Sequence, residues 1–161
     1  MSLPQEIARR LTEEQIAFVK RSGLKAEVLE PGHVRLCMPL VGNQNHIGSM
    51  YAGALFTLAE IPGGALFLTS FDTERFYPII KEMNLRFRRP ATGDIRVEAR
   101  LSATLIEQLQ DEAAESGKAQ YPLTLQLTAE DGEVVAESHA LYQLRLHERR
   151  GNLSQIKRPD R

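Results

Sequence analysis

The sequence predicts an α+β domain in which a largely antiparallel sheet of five or six strands wraps around one buried helix. The segment from Met50 to Ser70 is apolar nearly all round, which is typical of a helix enclosed by other structure. Most of the remaining chain between residues 24 and 146 alternates apolar and polar residues in short runs. Turn signals separate these runs, as they do between antiparallel strands.

Residues 1–23 form a predicted N-terminal helical segment. The stretch Thr12-Glu13-Glu14-Gln15 resembles a capping box, in which side chains hydrogen-bond the free amides at a helix start. Ile16 and Val19 follow at helical spacing, and Gly23 is a residue that commonly ends a helix. A short helix ending near Ser22 is expected.

Residues 24–30 and 33–39 alternate around Pro31-Gly32 and predict a first hairpin. Cys37 lies in the second of these strands, with no cluster of histidine or cysteine nearby, and is expected to pack in the core.

The central helix follows a polar loop, residues 41–48, that is rich in glycine and asparagine. The hydroxyl of Ser49 is a suitable cap, so the helix is predicted to start there. Proline lacks an amide hydrogen and crowds the preceding turn, so Pro62 should kink or end the helix just after Glu60.

A long strand is predicted from residue 78, and strict alternation would place five residues on one face: Ile79, Lys81, Met83, Leu85 and Phe87. Further strands are predicted at residues 94–104, 121–128 and 134–146, with a tight turn at Asp131-Gly132. The polar stretch 107–119 is interpreted as an exposed connection or a flared strand end.

Length and composition suit one domain: the chain has 161 residues, of which 42% are hydrophobic and 25% charged. The predicted division is residues 1–23, a domain at 24–148 and a basic tail at 149–161. A net charge of −1 gives no general attraction to nucleic acid or anionic membranes, and neither is an expected partner.

A single cysteine and an N-terminus unlike a signal peptide indicate the cytoplasm. The apolar run reaches membrane-spanning length, but Glu60 and Pro62-Gly63-Gly64 interrupt it, which favours a core helix. His33, His139 and His147 are scattered, and no zinc motif, dinucleotide fingerprint or phosphate loop is present, so no metal or other cofactor is expected.

Glu60 is the most informative residue in the sequence. An ionised carboxylate among apolar neighbours needs a partner or a raised pKa, because its desolvation costs several kcal/mol. Two interpretations stay open: a catalytic carboxylate, or a buried salt bridge with Lys81 within or across subunits.

The stretch 45–60 resembles the signature of hotdog-fold thioesterases of the phenylacetate-pathway and DUF4442-like type, with matches in register at Asn45, Gly48, Ser49, Gly53 and Glu60. Residues 83–94 resemble the strand and the Arg-Pro-Ala-x-Gly-Asp turn that follow the helix in that family. The resemblance extends over roughly residues 24–146.

The resemblance implies a hotdog fold and a homo-oligomer, as a dimer or a dimer of dimers, with sites at the subunit interface. It implies hydrolysis of an acyl thioester of coenzyme A or of an acyl carrier protein. The implied catalytic residues are Gly53 as oxyanion donor, Glu60 as nucleophile or base, and Asn45 as an orienting group. The implied substrate-binding residues are Ser49, Tyr51, Lys81, Arg88 and Arg89.

The chain departs from the family pattern at several positions. Tyr51 stands where histidine is usual, and Ala52 replaces the first glycine of a pair. Ile80 occupies the place of a serine found in some members, and Glu60 is one methylene longer than aspartate. Two other functions therefore stay open: a non-catalytic protein that binds acyl thioesters, and a hotdog dehydratase or hydratase, which would need a well-placed histidine.

Overall fold

A computed structural model describes residues 1–147 and confirms the α+β class and the hotdog arrangement. Six antiparallel strands form one sheet in the order β1-β2-β4-β5-β6-β3. The strands are β1 (Lys25–Glu30), β2 (His33–Met38), β3 (Phe76–Phe87), β4 (Ile95–Arg100), β5 (Lys118–Thr128) and β6 (Val134–Leu146). The helices are α1 (Gln5–Arg10), α2 (Ala17–Ser22), α3 (Ala52–Ser70) and α4 (Ala103–Ser116), with a wide π-type turn at Leu11–Gln15 between α1 and α2.

Two predicted hairpins are confirmed. β1 and β2 pair around Pro31-Gly32, and β5 and β6 pair around Asp131-Gly132. Gly132 has a φ of 87°, a left-handed conformation that glycine adopts without strain. Cys37 is buried as expected.

Helix α3 lies against the concave face of the sheet, and Leu58 and Leu66 are completely buried. The predicted start of α3 is wrong, because the helix starts at Ala52 and the Ser49 hydroxyl does not cap it. Of the two effects expected of Pro62, ending the helix is wrong, because α3 continues through Pro62 to Ser70. Packing on most sides outweighs the one hydrogen bond that proline removes.

The predicted face of β3 is correct for Met83, Leu85 and Phe87 and wrong for Ile79 and Lys81. The pairing of β3 with β6 shifts between Ile80 and Glu82, so that Lys81 is an extra residue in a β-bulge. Before the bulge, Ile80 pairs with the inward-facing Tyr142; after it, Met83 pairs with Ala140. The bulge therefore changes which residues face the helix, and Lys81 is exposed instead of sharing an apolar face.

The polar stretch 107–119, interpreted as a connection, lies mostly in helix α4. The Ser102 hydroxyl caps this helix by accepting a hydrogen bond from the Leu105 amide at 3.1 Å. Gly117, with a φ of 83°, ends it. Three apolar residues at helical spacing are buried: Ile106, Leu109 and Ala113. The predicted strand at residues 94–104 accordingly ends at Arg100.

The N-terminal segment is helical, and Gly23 ends its last helix, as predicted. The capping box is wrong, because Thr12–Gln15 lie within a continuous helical path. Glu13 is nearly buried and accepts a hydrogen bond from the Ala26 amide at 2.9 Å. Burial raises the pKa of Glu13, but the Ala26 amide and the Lys25 ammonium together outweigh it and hold the pKa below its usual range. The segment thus covers the outer edge of β1.

Helix α3 is long and apolar enough to cross a membrane by length and composition alone, and most of it is buried within the fold, as in a core helix. The division at residue 23 stays a prediction. The predicted tail at 149–161 lies outside the described residues.

Candidate active site

The N-terminus of α3 presents backbone donors. The Ala54 and Leu55 amides both donate to the Tyr51 carbonyl, at 2.9 and 3.2 Å. Among the described residues no side chain caps the helix, which leaves the amides of Ala52 and Gly53 as donors at its tip. The helix dipole adds a partial positive charge there. This end of α3 is suited to a developing negative charge.

The ring of Tyr51 lies against Gly53. A Cβ atom added at Gly53 would come within 2.5 Å of that ring, so only glycine fits beside it without movement. Tyr51 itself is 58% exposed. Tyr51 and Gly53 are therefore in contact, as a pocket wall and an oxyanion donor would be, but the ring also crowds the donor.

Asn45 and Ser49 belong to the tight turn that leads into α3. The Asn45 side-chain amide donates to the Ser49 hydroxyl at 3.0 Å, and its carbonyl accepts from the Ile47 amide at 3.0 Å. The turn is anchored where the Met50 amide donates to the Ala91 carbonyl at 2.8 Å. Both polar ends of the Asn45 side chain are thus engaged within the turn.

A cleft of about 340 Å³ opens between this turn and the end of β3, and we call it the arginine cleft. It brings together four of the predicted site residues: Asn45, Ser49, Arg88 and Arg89. Both arginines are already paired, Arg88 with Glu137 at 2.7 Å and Arg89 with Glu133 at 2.8 Å. A phosphate ligand would have to compete with these surface carboxylates.

Glu60 is half-buried in the middle of α3. Burial raises the pKa of its carboxyl above the ordinary value. No basic side chain among residues 1–147 lies within ion-pairing distance of it, Lys81 included. The salt bridge considered from the sequence is thus absent within the described part of a single chain.

Tyr142 and Gly63 are site residues that sequence reasoning missed. The Tyr142 hydroxyl donates to the Glu60 main-chain carbonyl at 2.8 Å. Its ring lies so close to Gly63 that an added Cβ would be 2.2 Å away. Burial, with the nearby Glu60 carboxylate, raises the pKa of Tyr142, which keeps its hydroxyl a donor. The only feature of the sequence that pointed to this contact was a glycine, Gly63, directly after a proline in a helix.

Gly53 and Glu60 share one face of α3, because seven residues complete almost two turns. They are about 10 Å apart along the axis at about 1.5 Å per residue. One chain therefore cannot place both against a single carbonyl carbon. Within residues 1–147 no group of three or more histidine, cysteine or acidic side chains could hold a metal.

The comparison with known families decides the affiliation of the chain. Residues 5–143 match the family described as a domain of unknown function, DUF4442. The chain belongs to this family. A search of the curated proteins found no match to this DUF4442 protein.

Solved structures with the same fold include a protein of unknown function from Pseudomonas aeruginosa, PA5026, described as a probable thioesterase. It is 78% identical to the DUF4442 chain, with a TM-score of 0.88 over 91% of this chain and 99% of that one. A mutant of the Pseudomonas aeruginosa thioesterase PA1618 is 17% identical, with a TM-score of 0.69 over 91% and 97% of the two chains. A mutant of the Staphylococcus aureus thioesterase SAV0944 is 18% identical, with a TM-score of 0.61 over 80% and 98%. The last two show likeness of fold alone.

Proposed function

We propose that this DUF4442 protein hydrolyses acyl thioesters of coenzyme A or of an acyl carrier protein, at sites formed between two copies of the chain. The observation that carries the proposal is Glu60, a half-buried carboxylate with no cationic partner among residues 1–147, on the same helix face as the Gly53 amide. The 78% identical relative described as a probable thioesterase supports the same reaction class.

The chemistry follows from the helix. The thioester carbonyl would sit at the tip of α3, where the Gly53 amide donates to the oxyanion as it forms. Glu60 of the second copy would attack the carbonyl carbon or remove a proton from an attacking water. In either case the carbon–sulfur bond breaks and the thiolate leaves and takes up a proton. If Glu60 attacks directly, a mixed anhydride forms, and a water then hydrolyses it to release the acid and restore the carboxylate. Two antiparallel copies of α3 satisfy the separation of about 10 Å between the residues.

The free edge of β3 supports assembly into a dimer. The strand is twelve residues long and lies at the end of the sheet, and within residues 1–147 no strand pairs with its outer edge. Natural proteins seldom leave a long edge strand open, because it can pair with other strands. Ile80 and Phe87 expose 37% and 52% of their surfaces on this strand. Pairing of two β3 strands would cover both.

The arginine cleft is the proposed entrance for the carrier. Ala52, at the tip of α3, lines it, and Arg88 and Arg89 could exchange their carboxylate partners for phosphate oxygens. Ser49 and Tyr51 would line the path from there to the reacting carbonyl. Asn45 would shape the turn instead of orienting water, because its amide is already engaged.

One observation favours the alternative of a non-catalytic acyl-thioester binding protein. Tyr51 stands at the position where the family usually has histidine. Its ring lies against Gly53 and crowds the oxyanion donor. In that case the cleft and the interface would bind an acyl thioester without cleaving it.

The deciding experiment measures free-thiol release from short, medium, long and aromatic acyl-CoA substrates and from an acyl carrier protein loaded with the same groups. Wild type is compared with Glu60→Gln, which removes the charge and keeps the shape. Loss of turnover in a folded, oligomeric Glu60→Gln variant is the expected result. Full activity in that variant contradicts the mechanism, and tight binding without turnover by the wild type supports the binding protein.

A further inference from the structure

A second cleft, of about 220 Å³, lies between the wide turn at Leu11–Gln15 and the C-terminal half of α3, and we call it the N-terminal cleft. Its walls are mostly apolar and include Leu11, Thr12, Ile16, Gly64, Leu68 and Pro78. None of the residues predicted from the sequence as site residues lines it. It is smaller than the roughly 300–1,000 Å³ of pockets that hold whole drug-sized ligands, so it suits one part of a ligand.

The N-terminal cleft begins one helical turn beyond Glu60. Gly64 is four residues after Glu60, so it lies on the same face of α3, about 6 Å further along the axis. Ile61, the neighbour of Glu60, also lines the cleft. A group held there would continue directly from a carbonyl that reacts at Glu60.

Thr12, in the wall of the cleft, has two unusual features. The residue is 5% exposed, and its hydroxyl is enclosed by protein atoms and has no hydrogen-bond partner among the described residues. Such groups are uncommon in folded proteins and call for a partner. Thr12 also belongs to a π-type turn, a rare geometry found frequently at functional sites.

Gly64 keeps the floor of the cleft open. A Cβ atom added there would meet no atom within 4 Å, whereas one added at Gly63 would strike Tyr142. Glycine inside a helix carries a cost relative to alanine. Among residues 1–147 no packing contact requires glycine at position 64, and a larger side chain there would extend into the cleft.

We propose that the N-terminal cleft receives the acyl group of the thioester and limits its length. This assignment rests on the proposed hydrolysis at Glu60. The hydrocarbon end of the acyl group packs against Leu11, Ile16 and Leu68. The pantetheine and nucleotide parts lie outside this cleft.

The test is the chain-length profile of thiol release from acetyl-CoA to decanoyl-CoA. Gly64→Leu fills the cleft and should raise KM for the longest accepted substrate about tenfold or more, with acetyl-CoA changed less than about twofold. Gly64→Ala, which adds one methyl group and keeps the helix, should shift the profile in the same direction by less.

Ile16→Ala provides the reciprocal test, because it widens the rim and should extend the profile to longer acyl groups. Ile7→Ala is the matched control: Ile7 is 41% exposed on α1, does not line the cleft and should leave the profile unchanged. Equal changes for all chain lengths in Gly64→Leu, or an unshifted profile in both Gly64 variants, would overturn the assignment.

Binding separates this inference from the proposed reaction. Calorimetric titration of the wild type with hexanoyl-CoA and acetyl-CoA requires no turnover. If the wild type hydrolyses nothing but Gly64→Leu loses binding of hexanoyl-CoA selectively, the cleft assignment stands and hydrolysis is rejected. If hexanoyl-CoA does not bind, or binds the wild type and Gly64→Leu equally well, the cleft does not hold the acyl group.

Discussion

Glu60 combines properties that stability alone does not explain. It is a half-buried carboxylate whose pKa is raised by burial, and no cation within residues 1–147 compensates its charge. A glutamine has the same shape and would avoid the free-energy cost of burying an uncompensated charge. Groups of this kind are concentrated at functional sites, where activity requires the charge.

The variant Glu60→Gln should therefore be more stable than the wild type near neutral pH. The raised pKa means that the protonated form is favoured in the folded state, so this contribution to stability is present at low pH and is lost as the pH rises through the folded pKa. At about pH 7 we expect Tm to increase by about 2–4 °C, the shift for about 1 kcal/mol in a chain of this size. The difference should shrink toward about pH 4.

Thermal unfolding from acid to neutral pH measures this difference. Glu107→Gln is the control, because Glu107 is exposed on α4 and the same chemical change there should leave Tm unaltered. A lower Tm for Glu60→Gln would instead reveal a cationic partner from outside residues 1–147, such as Lys81 of a second copy.

At the scale of single elements, α3 depends on the stretch Pro62-Gly63-Gly64. Proline removes one hydrogen bond from the helix, and the Tyr142 hydroxyl donates to the Glu60 carbonyl two residues before Pro62. The two glycines look alike in sequence but have different surroundings. Gly63 admits the Tyr142 ring, and Gly64 faces open space.

Alanine substitutions at these two adjacent positions should have opposite effects. Gly63→Ala places a methyl group against Tyr142 and should lower the free energy of unfolding by about 1–3 kcal/mol. Gly64→Ala should raise it by about 0.5–1 kcal/mol, since alanine is the better helix former. Denaturant titration of both variants gives the two values, and equal effects would contradict the packing described for Tyr142.

The elements show which parts of the structure the sequence could predict. Turn residues and alternation predicted both hairpins, because these signals act locally. The bulge at Lys81 was not predictable, since it exists only through the pairing of β3 with β6. Helix α4 did carry a signal, the Ser102 cap and the spacing of Ile106, Leu109 and Ala113, but its polar exposed face resembled a loop.

For the candidate site, too, local features were predictable from the sequence and contacts between distant segments were not. The motif suggested Gly53 and Glu60 as candidates on one helix face, because both belong to one contiguous stretch, and their roles stay predictions. Contacts between distant segments were missed: Tyr142 on Glu60, and the ion pairs that occupy Arg88 and Arg89. Such contacts depend on the tertiary fold, which residue spacing along the chain does not reveal.

At the scale of the whole molecule, the two edges of the sheet differ. The N-terminal segment covers β1, where the Gln5 side chain donates to the Leu29 carbonyl at 3.0 Å and the Glu13 carboxylate accepts from the Ala26 amide. Nothing among the described residues pairs with the free edge of β3. A second copy of the chain is the partner we propose for it.

Ile80→Lys should prevent that assembly. A charge at this half-exposed position would be buried between two β3 strands, so we expect a folded monomer that has lost thiolesterase activity. Light scattering after size exclusion measures the mass. Thr124→Lys is the control, because Thr124 is exposed in the middle of the sheet on β5. A dimer that persists in Ile80→Lys would place the interface elsewhere.

The reactivity of Cys37 determines the background signal in the thiol-release assay. Cys37 is the one cysteine in the chain and is 8% exposed, and burial raises the pKa of its thiol. Since the thiolate is the reactive species, a disulfide reagent used to detect released coenzyme A should find little competing signal from the folded protein. For the same reason, a cysteine engineered into the exposed part of β3 would be the preferred attachment point for a spin label or fluorophore, and could report the distance between two copies directly.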